Sequence, residues 1–143
     1  QIPPVKPPTK PTPKPDVTPN VTRLKLSQGS FRKGRSTTIS FRLNEAARVS
    51  LLVEAKLRGR RVDGRCVKPK KHKRSNCSRW VKVRGGMTFS GAAGTNKLTF
   101  RGKLGKRSLA TGSYRLTLLA KDSGGDWSNP VSAGFRLLAA KRN

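Results

Sequence analysis

The stretch CVKPKKHKRSNC, Cys66 to Cys77, gathers most of the side chains that could do chemistry: both cysteines, the single histidine, four lysines and one arginine. A zinc site wants four ligands drawn from cysteine, histidine or carboxylate. Here Cys66, His72 and Cys77 supply three, the nearest acid is Asp63, and the spacing C-x5-H-x4-C matches no common zinc knuckle. The five cations of the loop would also repel a divalent ion, so no metal is expected. A Cys66–Cys77 disulfide uses the whole cysteine complement, and it suits an exported, oxidising setting. Closing so short a loop contributes about 3 kcal/mol in the chain-entropy model. It would hold RRVDGRC and CSRWVKV together as a hairpin neck and leave a cationic tip exposed.

Lys68, Lys70, Lys71, Lys73 and Arg74 of that tip are candidate polyanion-binding residues, since each phosphate neutralised adds to a steep salt dependence. The loop has no aromatic ring to stack a base and only Asn76 to read a base edge. Any contact with nucleic acid is therefore expected to be blind to sequence. A solvated cationic loop on a cationic protein accounts for the same residues. Trp80 lies nearby, but its alternation with Val81 and Val83 leaves its face open.

Catalytic chemistry is poorly supplied. The six carboxylates are Asp16, Glu45, Glu54, Asp63, Asp122 and Asp126. No two of them have an obvious reason to converge, and no serine or cysteine has a histidine and an acid placed to activate it. No enzyme, catalytic residue or cofactor is expected. Asp122 and Asp126 in DSGGD suggest calcium, because oxygen-rich turns bind hard cations; a tight inter-strand turn explains them with fewer assumptions. Asn20–Thr22 is formally a glycosylation acceptor. Trp127, beside that turn, is either an end plug of the core or an exposed contact.

The elements that must position these residues fall into two parts. From Gln1 to Pro19 the chain reads QIPPVKPPTKPTPKPDVTP and holds eight of the ten prolines: Pro3, Pro4, Pro7, Pro8, Pro11, Pro13, Pro15 and Pro19. Proline fixes φ and lacks the N–H that a sheet requires, so residues 1–20 are expected to form an extended polyproline arm or linker. At about 3.1 Å per residue such an arm reaches roughly 60 Å. Residues 21–143 then switch to period-two alternation. Leu24 and Leu26; Ile39, Phe41 and Leu43; Val49, Leu51, Val53 and Ala55; Val81 and Val83 mark successive runs. Met87 and Phe89; Leu98 and Phe100; Tyr114, Leu116 and Leu118; and Val131, Ala133, Phe135 and Leu137 continue them. Gly-, Ser- and Asp-rich turns separate the runs, and no window sustains a helical repeat. The pattern predicts an all-β antiparallel sandwich of seven or eight strands with one core.

The lysine and arginine count of 33 against six acids leaves a formal charge of +27. Cations such as Arg42, Arg48, Lys82, Arg84, Lys97, Arg101, Arg115 and Arg136 alternate with the apolar positions, which places much of that charge on outer faces. An anionic surface, polymer or neighbouring subunit is expected to complete the electrostatics. No apolar run approaches the roughly 20 residues that span a bilayer, and the start at Gln1 fits a product trimmed by a signal peptidase.

The stretch SLATGSYRLTLLAKDSGGDWSNPVSAGFRLL resembles the last two strands of immunoglobulin-like and fibronectin-type-III-like modules of secreted bacterial proteins. Leu109, Gly112, Tyr114 and Leu116 match L-x-P-G-x-Y-x-L, with Thr111 in place of the proline; Ala120, Asp122 and Gly125 match A-x-D-x-x-G-N, with Asp126 in place of the asparagine; Phe135 is the inward residue of the closing strand. FRKGRSTTISFRLNEAARVSLLVE is similar to the early strands of such modules in actinobacterial surface proteins. The resemblance implies an immunoglobulin-like sandwich, with Tyr114 as a structural tyrosine corner whose hydroxyl returns to nearby backbone. The expectation is a non-catalytic, secreted or cell-surface structural subunit that assembles with copies of itself or anchors to envelope components through its arm. The competing expectation is an adhesive module for acidic polymers, such as extracellular DNA, cell-wall polyphosphate or acidic polysaccharide.

Overall fold

The computed structural model describes residues 18–71 and 75–141. Among these residues there are twelve strands and no helix. In chain order they are β1 (Val21–Leu26), β2 (Ser30–Arg32), β3 (Thr37–Leu43), β4 (Ala47–Val62), β5 (Arg65–Val67) and β6 (Cys77–Lys82). Then follow β7 (Met87–Gly91), β8 (Gly94–Phe100), β9 (Lys103–Leu104), β10 (Arg107–Ser108), β11 (Gly112–Lys121) and β12 (Val131–Leu138). Each of the eight alternating runs seen in the sequence falls on a strand, with Val83 alone lying one residue past the end of β6. The expected total of seven or eight falls short because β2, β5, β9 and β10 are only two or three residues long. Such pieces are too short to establish a period and exist through their neighbours.

β1, β3 and β8 form one antiparallel sheet. The larger sheet runs β2-β12-β11-β4, with β5, β6 and β7 also paired to β4. One pairing departs from the antiparallel expectation: β2 lies parallel to β12. The chain leaves the small sheet at Leu26 and crosses to the edge of the large one, where the Arg136 amide donates to the Gly29 carbonyl at 2.8 Å. Thr37 secures this crossing from within, its buried hydroxyl donating to the Gln28 carbonyl and accepting from the Gln28 amide, both at 2.9 Å. The opposite crossing follows β7. A methyl at Gly91 would lie 2.5 Å from Leu43 Cδ1, so glycine lets the strand pass this close over the core without displacing that side chain. Asn96 then ties the turn, accepting from the Ala92 amide and donating to its carbonyl.

The alternating apolar positions of both sheets meet in one core. Ile39, Phe41 and Leu43 of β3, Val49, Leu51 and Val53 of β4, and Leu116 and Leu118 of β11 are each at most 1 % exposed. Burial of side chains of this size stabilises by about 1.5–3 kcal/mol apiece. An aromatic cluster closes one end: Phe135 stacks on Tyr114 with centroids 5.2 Å apart and meets Phe100 edge-on at 5.4 Å.

Candidate functional site

The cationic loop stands on an extension of β4. That strand has 16 residues, and its fully buried apolar positions end at Val53. Beyond them it runs on into a hairpin, turning at Asp63 and Gly64, both left-handed with φ of 50° and 78°; the Asp-Gly pair is a favoured two-residue hairpin turn. Arg60 to Val62 pair with β5, and Glu54 to Gly59 pair with β6. The Cys66–Cys77 disulfide joins the two returning strands, with Cα atoms 6.0 Å apart. Gly59 lies beneath it. A Cβ there would sit 2.6 Å from Cys66 Sγ and 2.6 Å from the Val67 carbonyl oxygen, so absence of a side chain at Gly59 is what lets the bridge close.

Asn76, the one residue of the loop read as able to probe a base edge, is engaged structurally: its backbone N–H donates to the Gly59 carbonyl at 3.0 Å and its side-chain Oδ1 accepts from the Arg61 backbone N–H at 2.8 Å. Lys68, Lys70 and Lys71 are exposed on the described part of the tip. His72, Lys73 and Arg74 lie outside the described residues, as do Pro3, Pro4, Pro7, Pro8, Pro11, Pro13 and Pro15. Pro19 behaves differently from a free arm residue. It is fully buried, and Asn44 fastens its flanks by accepting the Asn20 amide at 2.8 Å and donating to the Thr18 carbonyl at 3.2 Å.

The outer face of the large sheet carries a constellation that sequence reading did not assemble. Strand register sets Glu54 between Arg115 and Lys82, and Lys56 beside Trp80. The Arg115 Nε donates to Glu54 Oε1 at 2.8 Å, while its guanidinium lies 4.5 Å from the centre of the Trp80 ring. This hydrogen bond outweighs slight desolvation and raises the already high Arg115 pKa further. Trp80 is 39 % exposed, which settles its face as the outer one, away from the core. Arg115 and Glu54 thus form an ion pair on this face, at 2.8 Å.

The remaining singled-out residues have structural partners. Tyr114 donates its hydroxyl to the Ala110 carbonyl, and burial raises its pKa. Within DSGGD the Asp122 carboxylate accepts the Asp126 amide at 2.9 Å, and the Asp122 carbonyl accepts the Gly125 amide at 3.1 Å. The turn is thus held by hydrogen bonds among its own residues, with the Asp122 carboxylate engaged inside it. No group of three or more histidine, cysteine, aspartate or glutamate side chains placed to hold a metal occurs among the described residues. Trp127 is an exposed contact and not an end plug: it is 51 % exposed, with Lys121 Nζ 5.2 Å from its ring centre.

No family model matches the chain, and no curated protein matches it. Among solved structures it is similar to Spo0M, a sporulation control protein from Bacillus subtilis, with a TM-score of 0.43 and 9% identity over 88% of this chain. It is also similar to the alkylpurine DNA glycosylase AlkC of Pseudomonas fluorescens bound to DNA containing an abasic site analog, with a TM-score of 0.37 and 18% identity over 85% of this chain. The chain spans 51% of the first and 31% of the second.

Proposed function

We propose that this chain is a non-catalytic extracellular structural protein, an immunoglobulin-like β-sandwich module that adheres to acidic polymers. The observation that carries the reading is the electrostatic one. The chain has 33 lysines and arginines against six acids, and its cations stand exposed on both sheets and on the disulfide-necked tip. Self-repulsion on this scale calls for an anionic partner. The disulfide fits an oxidising, extracellular location. Retention on immobilised polyphosphate, double-stranded DNA and a uronic-acid polysaccharide, measured between about 50 and 200 mM salt, tests it. The expected result is a log-linear fall in affinity with salt; retention indifferent to salt would sink the reading.

A second reading, assembly with copies of itself or anchoring to the envelope through the proline-rich arm, is favoured by the Asn44 clamp. Thr18 to Asn20 are fixed to the domain, so the arm has a defined point of departure. Because Pro19 is fully buried against the domain, the test is deletion of residues 1–17 only. Sedimentation and electron microscopy should then report a smaller assembly, and an unchanged assembly state would remove the arm's role.

A further inference from the structure

The outer face of the three-stranded sheet presents hydroxyls and cations together. Its central row is Lys25–Ser40–Lys97, one residue from each strand. The row on one side is Thr22–Arg42–Thr95, and on the other side Thr38 pairs with Thr99. None of the six carboxylates in the chain lies on β1, β3 or β8, so nothing on these strands neutralises Lys25, Arg42 or Lys97. Adjacent strands are about 4.8 Å apart, which sets the two lysine Cα atoms of the central row roughly 10 Å from each other with a serine between them. A shallow trough of about 450 Å³ runs here, lined by Lys25, Ser27, Thr38, Ser40 and Lys97.

The chemistry of this face is selective. Ammonium, guanidinium and hydroxyl groups all donate hydrogen bonds, and phosphate oxygens accept from each of them. The face offers no aromatic ring, which a nucleobase or sugar ring would use for stacking. A bulge in β1 between Thr22 and Lys25 adds one more cation at the sheet edge: Arg23, exposed and held at a left-handed φ of 54°. The bulge also interrupts the edge and disfavours pairing with another strand there, so the face is better suited to a ligand lying across the strands than to a strand added beside them.

We infer that the outer face of β1, β3 and β8 is a binding site for linear polyphosphate, an unbranched chain of phosphates without bases or sugars. This rests on the acidic-polymer reading and names its site, which is distinct from the disulfide-necked tip. The test compares two triple variants of the full chain that remove equal charge: Lys25→Gln/Arg42→Gln/Lys97→Gln on the face, and Lys68→Gln/Lys70→Gln/Lys71→Gln on the tip. All six residues are exposed, and a cooperative melting curve with a midpoint no lower than that of the unaltered protein verifies the fold of each variant. At about 0.15 M salt the face variant should bind polyphosphate at least tenfold more weakly, with a slope of log affinity against log salt shallower by about two to three. The tip variant should lose less than about threefold. Equal losses from the two variants would overturn the site while leaving the acidic-polymer reading standing; failure of the unaltered protein to bind any acidic polymer would overturn both. Removing hydroxyls without charge, by Thr38→Val/Thr99→Val, should cost a further factor of about three. Competition fixes the occupant: double-stranded DNA or a sulfated polysaccharide that displaces polyphosphate at equal anion concentration would overturn polyphosphate as the ligand.

Discussion

Gly59 makes the disulfide possible by having no side chain, because a methyl there meets both Cys66 Sγ and the Val67 carbonyl at 2.6 Å. Gly59→Ala should therefore strain the neck by about 1–3 kcal/mol, the usual range for overpacking. The strain is local, so it should appear as faster reduction of Cys66–Cys77 by a mild thiol, with the core melting close to the unaltered protein. A reduction rate equal to wild type would mean that the neck accommodates the methyl. Tyr114 makes a different kind of residue-level commitment. Its buried hydroxyl donates to Ala110, and burial favours the neutral phenol, lifting the pKa above the ordinary tyrosine value. Tyr114→Phe should cost about 1 kcal/mol near neutral pH. The sign of the pH effect follows from the raised pKa. Below the unfolded value of about 10 both states hold the proton and the contribution is constant; as pH rises towards the higher folded value the unfolded chain ionises first, and stability is lost. Urea titrations at about pH 8 and pH 11 should thus show a smaller stability difference between wild type and Tyr114→Phe at the higher pH. A difference that does not change would overturn the burial argument.

β4 joins two elements of unlike stability in one strand. Its first half supplies Val49, Leu51 and Val53 to the core, while its second half carries the disulfide-necked hairpin, where Leu57 is 43 % exposed. Replacing both cysteines, Cys66→Ser/Cys77→Ser, should consequently release the tip more than it weakens the core. The global loss should stay below the roughly 3 kcal/mol of the chain-entropy model, and trypsin cleavage within residues 60–71 should accelerate more than tenfold, as expected for a locally opening unit. Loss of the full amount without faster cleavage would show instead that the tip and core unfold as one. The same strand illustrates what the chain discloses before it folds. Its alternation, like that of β3 and β11, is a local property, and the pairing of two cysteines in so short a loop is local too. The parallel contact of β2 with β12 joins residues such as Phe31 and Leu137, and no local pattern reports it. Trp80, Glu54 and Arg115 meet for the same reason, through the registers of β6 and β11 on β4. A one-residue slip in either register would turn a member of that trio to the other face, so the constellation is legible only once the pairing is known. Pro19 shares the composition of the arm and differs by its burial, which composition does not encode.

At the scale of the whole molecule, a formal charge of +27 works against the compact state, because cations brought together by folding repel one another. Apolar packing opposes this repulsion, and Arg115–Glu54 relieves it only at one point on the surface, where an exposed ion pair is worth little. Screening should therefore stabilise this protein, the reverse of what is expected for a fold that depends on surface ion pairs. The Debye length shrinks from about 30 Å at 0.01 M salt to about 10 Å at 0.1 M, so the longer-range part of the repulsion is screened out over this interval. Raising sodium chloride from about 0.01 to 0.3 M should lift the melting temperature by about 5 °C, equivalent to roughly 1 kcal/mol for a domain of this size. Multivalent anions should do more than chloride at equal ionic strength, since an anion that occupies clustered cations of the folded state adds its binding free energy to stability. Scanning calorimetry in chloride, sulfate and tripolyphosphate at matched ionic strength separates the two contributions. An identical rise in all three salts would leave screening alone at work, and a melting temperature that falls with added chloride would mean that favourable ion pairing, and not repulsion, dominates the folded surface.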